Sequence, residues 1–199
     1  MRIFDISQEV FGCAVFPGDP APQRTVLQSM EEGSLYNLTA FSMCAHNGTH
    51  LDAPAHFLKD GKTVEQLLLS QFVGYAFVAE WEGTITKQDI SEILARARKK
   101  NTEAAKRILI KGKATLSAEA ARVLAAESVL LFGNESQTVG PENAPMEVHL
   151  ILLGADAVLL EGVRLGDVPE GVYLLNAAPL ALEGAEGAPC RAILIDMNE

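Results

Sequence analysis

The sequence predicts a single α/β domain over residues 1–199. Short apolar runs of strand length alternate along the chain with amphipathic helical segments, and this alternation is typical of an α/β fold. A length of 199 residues suits one domain, and the chain contains no repeat, low-complexity tract or linker that would divide it. A hydrophobic fraction of 48% and a charged fraction of 21% are ordinary for a globular protein.

The strands are predicted from apolar runs and from the turn residues that separate them. Residues 2–7 form the first predicted strand, and the Pro and Gly of the segment 16–20 predict a turn. The remaining predicted strands cover residues 38–45, 73–81, 107–111, 129–132, 157–160, 171–175 and 192–195.

Three helices are predicted between these strands. The first covers residues 86–99, with Thr86 as its N-cap. Its apolar positions fall on one face, as expected for a helix that packs on a sheet: Ile90, Ile93, Leu94 and Ala97. Ser117 caps a second predicted helix that ends at Ala126, and a third covers residues 146–153.

The net charge argues against two classes of partner, and the cysteine content indicates the compartment. Lys and Arg total 16 against 26 Asp and Glu, which gives a net charge of −10. Because this charge repels phosphates and anionic lipids, we expect no nucleic-acid or membrane partner. The three widely spaced cysteines, Cys13, Cys44 and Cys190, indicate reduced thiols in a cytoplasmic protein. Its first residues reach an acid at Asp5 without a basic segment and a long apolar run, so we do not expect them to be a secretion signal, and no apolar stretch approaches membrane-spanning length.

The segment His46-Asn-Gly-Thr-His-Leu-Asp-Ala-Pro-Ala-His56 carries three of the four histidines and one aspartate. Imidazole and carboxylate groups are the usual ligands of divalent transition metals, so the segment predicts a metal site. Gly48 and Pro54 disfavour a helix here, and an extended segment after a tight turn is expected instead. His50 and Asp52 would then project to the same side and could reach one metal together.

Several of these residues also have structural interpretations. A single His-x-x-x-His pair is a weak signal, but three histidines and an aspartate this close together favour a functional site. Considered alone, His149 would be a surface residue and Glu161 a solvated strand end, although α/β proteins tend to place active sites where strands end. Cys44 could be a ligand or a buried apolar residue, and Arg191 could bind a substrate carboxylate or form a structural salt bridge.

The segment from His46 to His56 resembles the signature H-x-G-T-H-x-D-x-P-x-H of the metal-dependent cyclase-like hydrolases. This family includes bacterial kynurenine formamidases and isatin hydrolases. The resemblance extends along most of the chain, since His149 and Glu161 match the second ligand pair of the family in type and spacing. Shorter segments support it: Asp5-Ile-Ser, Phe16-Pro-Gly-Asp-Pro, Ser136-Gln-Thr-Val-Gly and Gly187-Ala-Pro-Cys-Arg191.

The resemblance implies a fold and an assembly. The implied fold is an α/β domain with a central mixed β-sheet flanked by helices, of the swivelling β/β/α type. Members of the family commonly form dimers or tetramers, so a homodimer or homotetramer is expected. Phe16 stands where kynurenine formamidases typically carry a Trp that helps to form the substrate pocket, which makes Phe16 the expected substrate-binding residue.

The resemblance also implies the roles of the site residues. His46, His50 and Asp52 would hold one metal, and Asp52 with His149 and Glu161 would hold a second. His56 would remain unligated as the proton donor and acceptor. The expected cofactor is a divalent metal, Zn²⁺ or Mn²⁺, with one or two ions per subunit.

This donor set predicts a hydrolase of the C–N bond in an amide or cyclic amide of a small-molecule substrate. A metal-bound hydroxide would attack the carbonyl carbon, and His56 would protonate the leaving nitrogen. Two alternatives remain open: a biosynthetic cyclase or dehydratase that uses the same metal site, and a non-catalytic metal-binding protein. The scarcity of cysteine ligands argues against a structural zinc site.

Overall fold

The computed structural model describes residues 1–197, and the elements within that range are as follows. The strands are β1 (Arg2–Asp5), β2 (Gln23–Gln28), β3 (Leu38–Ser42), β4 (His50–Asp52), β5 (Val73–Glu80), β6 (Gly83–Ile85), β7 (Arg107–Lys111), β8 (Ala114–Leu116), β9 (Leu131–Asn134), β10 (Val158–Glu161), β11 (Gly171–Asn176), β12 (Gly187–Pro189) and β13 (Ile193–Asp196). The helices are α1 (Leu69–Phe72), α2 (Lys87–Lys100), α3 (Ala118–Ala126) and α4 (Met146–Gly154). None of the helices in the described range is long and apolar enough to cross a membrane.

Nine of these strands form one mixed sheet in the order β1-β13-β11-β5-β7-β9-β10-β4-β12. Its centre is parallel, because β5, β7, β9 and β10 run in the same direction. The chain passes through α2, α3 and α4 between these strands, as parallel connections require. Antiparallel strands complete both sides of the sheet, with β11, β13 and β1 on one side and β4 and β12 on the other. The predicted α/β class with a central mixed sheet is therefore confirmed.

Alternate residues of the central strands pack into two separate hydrophobic cores. Phe77, Ile108 and Phe132 face the core that contains the apolar faces of α2, α3 and α4. Leu109 and Leu131 face the opposite core, where the cover comes from loops and from the antiparallel strands. The central strands are thus buried on both faces, which explains why they appear in the sequence as nearly continuous apolar runs.

The helix caps predicted from the sequence are confirmed. Thr86 and Asp89 form a capping box at the start of α2, in which the Thr86 backbone N–H donates to Asp89 Oδ2 at 2.8 Å. The Ser117 hydroxyl oxygen accepts a hydrogen bond from the Ala120 N–H at 3.2 Å. The four apolar residues predicted for one face of α2 are all buried.

Some of the predicted boundaries were wrong. The strand predicted for residues 38–45 ends at Ser42. It pairs with β2 in an exposed hairpin that was not predicted. The strand predicted for residues 129–132 begins only at Leu131. The reason is that Val129 N–H and Leu130 N–H donate to Leu124 and Lys106 carbonyls rather than to a neighbouring strand. The short strands β6 and β8 were also not predicted.

Candidate metal centre

The histidine-rich segment enters the sheet through a turn that leads into β4. Asn47 Oδ1 accepts a hydrogen bond from the Cys44 backbone N–H at 2.8 Å and closes the turn that carries His46. Gly48 follows with a φ of +68°, a left-handed conformation that favours glycine. The remaining ligand candidates of the segment then continue as β4, so the predicted turn and extended segment are confirmed.

The position of β4 in the sheet explains how distant parts of the chain meet. β4 pairs antiparallel with β10, and its register places His50 directly opposite Glu161. His50 and Asp52 project to the same side of the strand because side chains alternate along it. His149 reaches this point from α4 and is only 3% exposed. Strand pairing and helix packing therefore join three separate segments in one buried cluster.

The first donor cluster consists of His46, His50 and Asp52. Asp52 Oδ1 lies 2.9 Å from His46 Nδ1 and 3.5 Å from His50 Nε2. The three residues offer donor atoms that all lie within 4.8 Å of one another.

The second donor cluster consists of Asp52, His149 and Glu161. His149 Nε2 lies 3.2 Å from Glu161 Oε1 and 3.6 Å from Asp52 Oδ2. Glu161 Oε2 lies 3.5 Å from His50 Nε2, which belongs to the first cluster. Each of the two carboxylates thus turns one oxygen towards each cluster, which is the arrangement of bridging carboxylates.

The chemistry of the two clusters fits divalent metal ions. Donors at 2.0–2.1 Å from a tetrahedral metal lie about 3.3 Å apart, and the distances between the histidine nitrogens and the carboxylate oxygens given above range from 2.9 to 3.6 Å. Asp52 is 1% exposed, and its Oδ2 has no hydrogen-bond partner among the described residues. A buried acceptor without a donor is costly, and a cation would compensate for that cost.

Backbone carbonyls fix the orientation of two of the histidines. His50 Nδ1–H donates to the Gly48 carbonyl at 3.0 Å, and His149 Nδ1–H donates to the Pro145 carbonyl at 2.8 Å. Because a carbonyl oxygen can only accept, each Nδ1 carries a proton, and in the neutral ring each Nε2 would direct its lone pair towards the carboxylates. Such contacts orient metal-binding histidines in general and set their tautomer.

In the metal-free protein, protons occupy these clusters. Burial opposes a charge on His149, but the neighbouring carboxylates of Asp52 and Glu161 outweigh it and raise the pKa of His149 to about 10. Burial likewise opposes a charge on His46, and the hydrogen bond with Asp52 raises its pKa to about 8. Burial would raise the pKa of Asp52, yet the neighbouring imidazoles of His149 and His46 hold that pKa well below the usual range. The site therefore stabilises positive charge next to its two carboxylates.

A cavity of about 270 Å³ opens over the clusters. Phe16 lies in its wall, together with Phe57 and Pro145. Polar groups from Asp19 and Thr138 also line it. The cavity provides room for a small molecule beside the donor atoms, with aromatic surface on one part of its wall.

His56 lies in the same cavity but belongs to neither donor cluster. It follows Pro54 in a short 3-10 turn, and its ring lies against the His46 ring at a centroid distance of 4.1 Å and an interplanar angle of 30°. Neither ring nitrogen has a hydrogen-bond partner within residues 1–197. Burial lowers the pKa of His56, which favours the neutral imidazole.

The structure gives the positions of Cys44 and Arg191, for which the sequence allowed two interpretations each. Cys44 lines the cavity but contributes no donor atom to either cluster. Arg191 lies outside the cavity, and its guanidinium pairs with Asp5 through a contact of 2.9 Å between Nε and Oδ1. The structural salt bridge is therefore the correct interpretation of Arg191.

Sequence reasoning missed two contacts at this site. Glu186 Oε1 lies 3.2 Å from His46 Nε2, and the Val139 backbone N–H donates to Glu161 Oε1 at 2.8 Å. Glu186 directly precedes the Gly-Ala-Pro-Cys-Arg segment, and that position was the only signal available for it. A backbone donor such as Val139 leaves no trace in the side-chain pattern.

The fold and the site together define a class, namely an α/β protein with a carboxylate-bridged pair of candidate metal positions beneath a substrate-sized cavity. Residues 4–141 match the Cyclase family, described as putative cyclase, and the chain belongs to that family. The kynurenine formamidase of Erythrobacter litoralis (strain HTCC2594) is 32% identical over 212 residues, covering 100% of this chain and 95% of the relative. The kynurenine formamidase of Bacillus anthracis is 33% identical over 206 residues, covering 96% and 95%.

Solved structures agree with this membership. A structure described as a potential metal-dependent hydrolase with cyclase activity is 28% identical, has a TM-score of 0.80, and overlaps 97% of this chain and 96% of its own. Isatin hydrolase A from Labrenzia aggregata has a TM-score of 0.80 at 22% identity, with 97% of this chain and 93% of that chain covered. At 22% identity, the similarity to isatin hydrolase A supports the fold alone.

Proposed function

We propose that this protein is a metal-dependent hydrolase that cleaves the C–N bond of an amide or cyclic amide. The observation that carries the proposal is a pair of buried donor clusters that share Asp52 and lie at a substrate-sized cavity. Similarity to kynurenine formamidases over nearly the whole chain, at 32% identity, points to the same reaction class.

The donor atoms suit one or two divalent ions per subunit. His46, His50 and Asp52 would hold one ion, and Asp52, His149 and Glu161 would hold the other. Mixed imidazole and carboxylate ligands suit Zn²⁺ or Mn²⁺. When bound, such an ion supplies Lewis acidity towards a carbonyl oxygen and lowers the pKa of water.

His56 is the proposed proton donor and acceptor. Its ring faces the cavity, its pKa is lowered by burial, and its nitrogens are not engaged in either cluster. A neutral imidazole accepts a proton from the attacking water and then returns that proton to the leaving nitrogen. The contact with the His46 ring keeps His56 beside the first cluster.

The cavity wall indicates the shape of the substrate. Phe16 and Phe57 present aromatic surface, and a planar aryl or ring-fused amide would pack against such surface. The name of the relatives makes N-formylkynurenine the first compound to test, and isatin serves as a cyclic amide for comparison.

A biosynthetic cyclase or dehydratase is the second candidate function. The description of the family as putative cyclase favours it, and the same donor clusters would serve. The two candidates differ in substrate, since a cyclase or dehydratase would leave simple formamides and isatin intact.

We further propose a cytoplasmic homodimer or homotetramer. All three cysteines are unpaired, as expected in a reducing compartment. The β2–β3 hairpin exposes several large apolar side chains, and such a group of side chains is typical of an interaction surface: Val26, Leu27, Leu38 and Phe41. Light scattering should then give a dimeric or tetrameric mass for the unsubstituted protein and a lower mass for a Phe41→Glu variant. A monomeric mass for the unsubstituted protein would contradict the proposed assembly.

The decisive experiment measures hydrolysis by protein reconstituted with Zn²⁺ or Mn²⁺. We expect release of formate from N-formylkynurenine or opening of the isatin ring, and loss of both activities on chelation. Turnover of neither amide by a demonstrably metal-loaded protein would contradict the hydrolase proposal.

A further inference from the structure

Glu186 lies directly beside the first donor cluster, although it comes from a distant part of the chain. It precedes β12, which pairs with β4 in a register that sets Gly187 opposite Asp52. The Ala53 backbone N–H donates to the Glu186 carbonyl at 2.8 Å. The backbone of Glu186 is therefore held against the end of β4, and its side chain starts from a fixed point.

The two nitrogens of His46 contact two different carboxylates. Nδ1 lies 2.9 Å from Asp52 Oδ1, inside the cluster, and Nε2 lies 3.2 Å from Glu186 Oε1, outside it. Both carboxylates can only accept, so a neutral His46 donates to one of them, and with a metal in the first cluster the proton lies on Nε2 and is donated to Glu186. The lone pair is then on Nδ1 and points into the cluster.

This orientation is opposite to that of the other two histidines. His50 and His149 each donate Nδ1–H to a backbone carbonyl and turn Nε2 inward. His46 has a side-chain carboxylate in the place of that carbonyl and turns Nδ1 inward. The orienting group of His46 is thus the only one of the three, within residues 1–197, that a substitution can remove without altering the backbone.

Packing restricts the His46 ring on its other sides. A Cβ on Gly187 would lie 2.6 Å from His46 Cε1, so only glycine leaves room for the ring at this point. The face of the ring lies against His56 at a centroid distance of 4.1 Å. Any rotation of His46 would therefore also change the surface on which His56 rests.

We propose that Glu186 is a positioning residue that accepts the Nε2 proton of His46, holds Nδ1 towards the metal, and keeps the ring in the plane that supports His56. The proposal rests on the proposed function only in taking His46 as a metal ligand. A carboxylate that hydrogen-bonds a ligating imidazole fixes its tautomer and increases its basicity.

The test compares the metal affinities of Glu186 variants by chelator competition with Zn²⁺. We expect Glu186→Ala to weaken binding at the first cluster by about 10–100-fold, the usual effect of removing such a partner. Glu186→Gln keeps an acceptor oxygen and should recover most of that loss. Glu183→Ala is the matched control, since Glu183 is an exposed acid in the same loop and should bind zinc like the unsubstituted protein.

A second readout follows the tautomer directly. Long-range ¹H–¹⁵N correlation spectra of the zinc-loaded protein should show His46 protonated on Nε2. In the Glu186→Gln variant the Nε2–H resonance should move, because its acceptor loses the negative charge. This measurement decides the question even if Glu186→Ala does not fold.

The outcomes separate this inference from the function on which it rests. If the unsubstituted protein binds neither Zn²⁺ nor Mn²⁺, the proposed function fails and the role of Glu186 fails with it; if it binds only Mn²⁺, the same variants are compared by their Mn²⁺ affinities. If it binds zinc, and Glu186→Ala matches Glu183→Ala in affinity, only the role of Glu186 is overturned. A proton found on Nδ1 of His46, or an unmoved Nε2–H resonance in Glu186→Gln, would overturn it as well.

Discussion

Metal binding should release protons from this protein, and the number of protons released depends on the pKa values of the histidine ligands, above all His46 and His149. Burial favours the neutral ring of both histidines. The Asp52 carboxylate nevertheless raises the pKa of His46 to about 8, and the carboxylates of Asp52 and Glu161 raise that of His149 to about 10. A metal and a proton compete for the same nitrogen lone pair, so each protonated ligand must lose its proton when the metal binds.

The magnitude can be worked out for pH 7. A group with a pKa of about 8 is about 90% protonated at that pH, and one with a pKa of about 10 is almost fully protonated. His46 and His149 should therefore release about two protons per chain when both clusters are loaded, and His46 about one when only its own cluster is loaded. Burial opposes a charge on His50, but the Glu161 carboxylate outweighs it and raises the pKa of His50, so His50 adds to both counts. Raising the pH removes the competing protons, so apparent metal affinity should rise about tenfold per pH unit for each such proton until the pH passes its pKa.

Isothermal titration calorimetry in two buffers with different ionisation enthalpies gives the proton count directly. His149→Ala should lower the count at pH 7 by about one. His56→Ala is the control, because His56 belongs to neither cluster and its pKa is lowered rather than raised. An observed heat that does not depend on the buffer would mean that no proton leaves, and would refute the assignment of protonated histidines as ligands.

Three further predictions concern catalysis and stability. His56→Ala should lower kcat by about 10²–10⁴-fold with unchanged zinc affinity, and full activity would contradict its role in proton transfer. Ile108→Ala, at a fully buried position of β7, should lower the free energy of unfolding in urea by about 2–5 kcal/mol; a loss below about 1 kcal/mol would contradict a close-packed core. Without metal, folded His149 keeps its proton up to about pH 10, whereas unfolded His149 loses it near pH 6.5. The free energy of unfolding should therefore decrease as the pH rises from about 6.5 to about 10. Thermal melts that show no change over this pH range would contradict the raised pKa.

Local features of the sequence were sufficient for part of the fold and part of the site. Thr86 and Ser117 act within one helical turn of their own positions, so their capping roles can be recognised without knowledge of the tertiary structure. The same holds for His50 and Asp52, which share a side of β4 because of the two-residue period of a strand.

Features that depend on strand pairing could not be obtained from local patterns. Glu161 lies opposite His50 only because β4 pairs antiparallel with β10, and nothing in either segment specifies that partner. β2 is exposed along its whole length, so it lacks the buried apolar face on which strand prediction depends, and its pairing with the predicted strand β3 was missed with it. Glu186 was not predicted because a single acidic residue in a loop carries no functional signal in the sequence, and only the structure shows its contact with His46.

The placement of residues 187–196 in the sheet has a consequence for how the protein folds during synthesis. β12 covers the edge of β4, and β13 inserts between β1 and β11, so both sides of the sheet stay incomplete until this segment has left the ribosome. During synthesis, β1 and the edge of β4 therefore stay unpaired until residues 187–196 are available. Contacts between such distant segments slow folding, and unpaired strand edges can aggregate, so the time at which residues 187–196 become available determines when the sheet can be completed.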